Sequence, residues 1–272
     1  MRTDGVITVF DTHAHLDSVE FEVDRDLVFS RLGREHEVGG QLISVAGVIF
    51  PGTDLRSSYR CVEFSLRSSD FYAAVGIHPN SPMSSIDADW RVVSELAESD
   101  DVVAIGETGL DRYRNVTSMD MQVDLFCRHI DLAIRLGKPI LIHCRDAWDD
   151  VLPILRSSRG LTGVIHSFNG TCEQAKEVID RGFYVSFAAQ VTYRNEKFSQ
   201  LHEVAKIIPL DRLLIETDSP YLVPHPFRGQ LKRNEPSYVV MVAIRLAELR
   251  QDSLKNIAQI TTQNAKNLIN KK

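Results

Sequence analysis

The stretch Val6-Ile7-Thr8-Val9-Phe10-Asp11-Thr12-His13-Ala14-His15 decides how this chain is read. Its first five residues are apolar or β-branched, which suits a buried strand. On extended backbone, side chains two apart share a face, so His13 and His15 point the same way at the end of that strand. Two imidazoles so placed can bind one ion. A lone strand histidine is ordinarily a satisfied core residue, and recurrence is what changes the reading here. His78, His143 and His166 and the acids Glu107 and Asp218 also fall where short apolar runs end.

Eight such runs recur, at about 6–13, 41–49, 71–77, 102–107, 139–143, 163–167, 183–188 and 213–217, separated by stretches of helical period. That alternation is the signature of βα units and a parallel sheet. One helix is expected over 117–136, lined by Met121, Leu125, Ile130, Leu132 and Leu136, capped by Thr117 or Ser118 and ended by Gly137. Others are expected over 171–181, with Thr171 as cap, over 236–249 starting at Pro236, and over 253–270. Eight repeats in 272 residues predict an α/β fold, a single (β/α)8 TIM barrel forming one domain over 1–272, with its active site at the carboxyl ends of the strands. An open doubly wound sheet would not bring the first and eighth strands together so naturally.

Imidazoles and carboxylates in one cluster suit divalent ions such as Zn, Mn, Co or Fe, with Mg at an oxygen-rich position. Six candidate ligands exceed what one tetrahedral ion needs, so two divalent cations are expected. One would be held by His13, His15 and Asp218, the other by His143 and His166, with Glu107 bridging a pair roughly 3.5–4 Å apart. Such a pair lowers the pKa of water toward about 7 and holds the oxygens of an in-line displacement, with Asp218 also able to act as general base. Arg145, two residues past His143, can meet a phosphate with its guanidinium, or instead pair with Asp146 or Asp111.

Seven segments in order carry a further resemblance: FDTHAHLD at 10–17, GIHPN at 76–80, AIGETGLD at 104–111, PILIHCRDA at 139–147, HSFNG at 166–170, ETDSPYL at 216–222 and KRNEP at 232–236. With them the chain resembles, over nearly its whole length, the TatD family of metal-dependent deoxyribonucleases within the amidohydrolase-like barrels. The resemblance implies metal-dependent hydrolysis of phosphodiester bonds, often from a 3′ end, with ions at His13, His15, Glu107, His143, His166 and Asp218. It also implies that His78 lies beside the metals as a phosphate contact rather than a ligand. DNA, as a single strand or a 3′ end, is the implied partner, with RNA a further one. The alternative keeps the metals and changes the bond: an amidohydrolase-type esterase or deacylase acting on a small molecule or an aminoacyl-tRNA.

Two departures from the family pattern bear on substrate. Arg112-Tyr113-Arg114 follows Asp111 where the family has GLDY, adding positive charge that could follow a nucleic-acid backbone. The spacing between Arg228-Gly229 and KRNEP is lengthened. Tyr221, three residues past Asp218, is the aromatic best placed to stack on a base, ahead of Tyr193; Trp90 and Trp148 are expected in the core. His36, His129, His202 and His225 fall in helical or loop stretches without partners at ligand spacing and are expected to be surface or helix-packing residues.

A formal charge of −6 argues against a surface coated in Lys and Arg for nonspecific nucleic-acid binding, although bound cations would dominate the field inside a cleft. The four cysteines show no CxxC spacing and Met1–Phe10 no leader pattern, which predicts a reducing, cytoplasmic setting. No apolar run approaches the roughly 20 residues needed to span a bilayer, and no obligate protein partner is inferred.

Overall fold

The computed structural model describes residues 5–81, 86–114 and 116–269; Asn270, the expected end of the last helix, lies outside them. Nine strands are described: β1 (Ile7–Asp11), β2 (His36–Val38), β3 (Gln41–Pro51), β4 (Phe71–Val75), β5 (Val102–Asp111), β6 (Ile140–Arg145), β7 (Gly163–Ile165), β8 (Tyr184–Phe187) and β9 (Leu213–Ile215). Apart from β2 they run parallel in the order β1-β3-β4-β5-β6-β7-β8-β9. Past the end of β1, the Thr12 amide donates to the Ile215 carbonyl (3.2 Å) and the Asp218 amide donates to the His13 carbonyl (2.9 Å). These bonds bring the last strand to the first and close the expected TIM barrel.

The strands alternate with α1 (Arg25–Arg31), α2 (Leu55–Ser65), α3 (Ile86–Leu96), α4 (Met119–Leu136), α5 (Trp148–Ser157), α6 (Cys172–Asp180) and α7 (Ser199–Ile207), and α8 (Val239–Arg250) and α9 (Leu254–Ile269) follow the last strand. One buried cluster takes a residue from each barrel strand: Phe10, Ile49, Ala74, Ala104, Leu141, Val164, Tyr184 and Leu214. Small side chains on β4 and β5 beside large ones on β1, β6 and β8 let this interior layer interdigitate. A larger cluster fills the space between strands and helices.

The sequence signals for helix ends are realised. Ser118 accepts the Met121 amide at the start of α4, Gly137 ends it at φ 64, and Thr171 forms a capping box with Gln174. Pro236 opens a short 3-10 turn, Pro236–Tyr238, that leads into α8. Two expectations fail. Met121 is 40% exposed, because the buried face of α4, which does include the expected Leu125, Ile130 and Leu132, runs through Gln122, Phe126, His129 and Ala133 instead. His36 lies in β2, antiparallel to β3 across Gly39-Gly40 (φ 58 and 81), a two-residue hairpin that needs positive φ at both positions.

His129 is fully buried within α4. Its Nδ1 donates to the Leu125 carbonyl (2.7 Å) and its Nε2 accepts the Ile77 amide (3.0 Å), so it ties the helix to the turn that carries His78. Half-buried Trp90 packs edge-on against it at 4.6 Å. Burial pushes the His129 pKa from 6.5 down to about 4. Between those two pH values the unfolded chain takes up a proton that the folded chain refuses, so this stability is complete above about 6.5 and is lost on acidification. In chelator, the stability of wild type relative to His129→Gln is expected to fall by about 3 kcal/mol from pH 6.5 to 4. Parallel denaturant titrations measure it, and a pH-independent difference contradicts it.

Candidate metal centre

The site begins with four loops and two strands that deliver polar atoms to one end of the barrel. β1 stops at Asp11, whose carboxylate accepts the His13 amide (3.2 Å), the Thr217 amide (2.8 Å) and the Thr217 hydroxyl (2.5 Å). One buried carboxylate thus fixes the turn bearing His13 and His15 against the turn bearing Asp218. Glu107 does not end its strand as expected. β5 runs on to Asp111, and its pairing with β6 slips between Ile105 and Thr108, a bulge that aims Glu107 at the barrel mouth. His143 likewise sits within β6, which continues to Arg145.

The run of β5 past the bulge depends on glycine. Gly109 has φ 137, and a methyl group there would lie 2.0 Å from the His143 carbonyl oxygen. Gly109→Ala is expected to cost more than about 2 kcal/mol in a denaturant titration, since both the dihedral and the contact resist it. A variant of unchanged stability would show that β6 yields freely.

Glu107, 3% exposed, is the hub. Its Oε2 faces His13 Nε2 (3.1 Å) and His15 Nε2 (3.4 Å). Its Oε1 faces His166 Nε2 (2.8 Å), His143 Nδ1 (3.0 Å) and His78 Nε2 (3.4 Å). His13 Nε2 and His15 Nε2 are also 3.1 Å apart, and Asp218 Oδ1 lies 3.5 Å from His15 Nε2. Three lone-pair-bearing atoms crowd one point, where a proton can join only two of them and a cation can join all. The donor set therefore fits divalent metal. Three trios could each hold an ion: His13 with His15 and Glu107, His13 with His166 and Asp218, and His78 with Glu107 and His143.

The electrostatics agree. Burial opposes charge on Glu107, yet His166, His78 and His13 hold its carboxyl well below the usual range. Burial also opposes charge on His15 and His166, but Asp218 with Glu107, and Glu107 with Glu216, push these imidazoles well above their usual range. Burial drives His13 and His78 down instead.

Two further acids orient the imidazoles. Asp111 Oδ2 lies 3.2 Å from His143 Nε2 and accepts from the Asn80 side chain (2.6 Å), while its Oδ1 accepts the Tyr113 and Arg114 amides. Glu216 Oε1 lies 3.3 Å from His166 Nδ1 and accepts the Ser167 amide (2.6 Å). Each holds a ring with its other nitrogen aimed inward. Gln122 accepts the Asp111 amide and donates to its carbonyl, bracing that loop from α4. Both acids lie in the quoted motifs, at 111 and 216, but strand periodicity alone does not separate a ligand from the group behind it.

The cleft over this cluster measures about 650 Å³ and its walls include Tyr113, Arg114, Arg145 and Tyr221. Arg145 pairs with neither Asp146 nor Asp111; its guanidinium lies over the Tyr113 ring at 4.6 Å. Arg112 turns aside to bond Asp150 through two nitrogens (2.6 and 2.7 Å). Tyr221 is 53% exposed at the rim. Tyr193 is unavailable for stacking, because it is buried with its hydroxyl on the Val223 carbonyl and Arg228 over its ring. Trp148 is buried as expected, its Nε1 donating to Asn169.

The family model described as TatD related DNase matches residues 10–270. The chain is 42% identical over 262 residues to the metal-dependent hydrolase YabD of Bacillus subtilis, covering 96% of this chain and 98% of that one. It is 32% identical over 264 residues to the 3′-5′ ssDNA/RNA exonuclease TatD of Shigella flexneri, covering 96% and 98%. The crystal structure of YJJV, a TatD homologue from Escherichia coli, superimposes with a TM-score of 0.85 at 28% identity, covering 97% of this chain and 98% of the other. Barrel, cluster and relatives together define a metal-dependent hydrolase. Within that class, the chain belongs to the TatD family.

Proposed function

We propose that this protein hydrolyses phosphodiester bonds of DNA, and of RNA as a further substrate, removing nucleotides from a 3′ end with two divalent cations. The observation that carries the reading is the orientation of Glu107, with Oε2 toward His13 and His15 and Oε1 toward His143 and His166. That arrangement supports the partition expected from sequence, although Asp218 also comes within reach of His166. The name of the Shigella relative supports the choice of polymer.

Bound there, the cations would supply Lewis-acid stabilisation of phosphate oxygens and a more acidic water. The chain's own groups supply the rest. Asp111 and Glu216 hold His143 and His166 in their ligating tautomers. Asp218 accepts the proton of the attacking water. His78 Nδ1 accepts the Asn80 amide (2.9 Å), which leaves its proton on Nε2, aimed into the cleft as a donor to the phosphate. Arg145 and Tyr221 contact the polymer from the rim.

The small-molecule form of the amidohydrolase alternative predicts a closed apolar pocket. The cleft is instead lined almost throughout by polar and charged side chains. Among the described residues no helix is long and apolar enough to cross a membrane. The test is incubation of metal-loaded protein with single-stranded and duplex oligonucleotides, where metal-dependent release of nucleotides is expected. Intact oligonucleotides alongside turnover of esters, lactones or aminoacyl-tRNA would transfer the reading to the alternative.

A further inference from the structure

The mouth of the barrel is split by charge. In barrel order β1 and β3 are neighbours, and the loops after them place Asp17 and Asp54 in the cleft wall. Two and three places beyond β3 come β5 and β6, and the residues at or just past their ends place Arg145 and Arg114 in another part of that wall. No salt bridge engages Arg114 or Arg145 among the described residues, whereas nearby Arg112 is held by Asp150. On the acidic side, Arg25, which bonds the carbonyls of Leu16, Asp17 and Ser18, and Arg60 both interact with the Asp17 carboxylate from behind, but neither guanidinium lines the cleft, whose face there carries the two acids. Tyr113 stands 64% exposed beside Arg145, so a base can extend the stack of ring and guanidinium.

We infer that the mouth accepts a nucleic-acid strand from one side only. The inference rests on the phosphodiesterase reading. The polymer lies over Tyr113, Arg114 and Arg145, with one base on the stack and its phosphates near the two arginines. The nucleoside beyond the scissile phosphate stops against Asp17 and Asp54, where a further phosphate meets two carboxylates at short range. The enzyme thereby reads a chain end by its charge. It takes an end bearing a hydroxyl and refuses one bearing a phosphate.

The test uses manganese-loaded full-length protein, one single-stranded oligodeoxynucleotide ending in a 3′-hydroxyl, the same oligonucleotide ending in a 3′-phosphate, and bis(p-nitrophenyl) phosphate as a diester without a polymer. Wild type is expected to prefer the hydroxyl end by about tenfold or more, and the double variant Asp17→Asn/Asp54→Asn to narrow that preference. Asparagine keeps the size of both side chains and can still cap α2 at position 54. Tyr113→Ala and Arg114→Gln are each expected to lower the ratio of oligonucleotide to small-diester kcat/KM by about tenfold, the scale of one lost base stack or phosphate contact. Equal cleavage of both ends, or ratios that these variants leave unmoved, overturns the inference while the nuclease reading stands. Hydrolysis of the small diester with every oligonucleotide left intact overturns both.

Discussion

Glu107→Gln is expected to lower phosphodiester hydrolysis by about a thousandfold or more while the barrel stays folded. Glutamine keeps the shape of the side chain but exchanges one accepting oxygen for a donating amide, so one half of the cluster loses its acceptor. Five imidazole nitrogens lie within 3.4 Å of the two Glu107 oxygens, and among the described residues no other carboxylate approaches so many. Losing several kcal/mol of transition-state stabilisation corresponds to three or more decades in rate. The core packs through apolar side chains that do not include Glu107, so far-UV circular dichroism should remain that of wild type. Elemental analysis and kcat/KM on the same preparation check the claim. A loss below tenfold at saturating metal would remove Glu107 from the centre of the chemistry.

His78→Ala is expected to lower turnover by about 10²- to 10³-fold without lowering metal content. The distinction comes from its tautomer. With Nδ1 occupied by the Asn80 amide and burial disfavouring charge, the ring is neutral and Nε2 carries its proton. A protonated nitrogen donates and does not ligate, even though geometry alone groups His78 with Glu107 and His143. Losing one donor to a developing anion has a cost of that size. His78→Gln, which can still donate, should recover part of the rate. Loss of metal in His78→Ala would make this residue a ligand.

The eight barrel strands were legible because each is a short apolar run, six of them with a polar residue of chemical use at or just past the end. His13 and His15, two apart after β1, and Asp218, after β9, meet as the closed barrel requires. The bulge in β5 was not legible. The register slip at Gly106-Glu107 is set by contact with β4 and β6, which local propensity does not record, so Glu107 read as a strand end. Asp111 and Glu216 were missed as orienting groups because their role lies in the nitrogen each one touches. Gln122 escaped for the same reason, a polar residue on a buried helix face whose partners are backbone atoms of another loop. The β2 hairpin, by contrast, carried a local signal in Gly39-Gly40 that went unread.

The Asp11 to Thr217 seam joins positions 206 residues apart in the chain. A chain leaving the ribosome can lay down β1 through β8 in turn, each against a neighbour already made, but this last junction must wait for Thr217 and Asp218 to emerge. Every incomplete translation product short of that point lacks one wall of the cleft and an acid of the cluster. Synthesis order alone therefore leaves the cluster without Asp218 until the segment after β9 has been made.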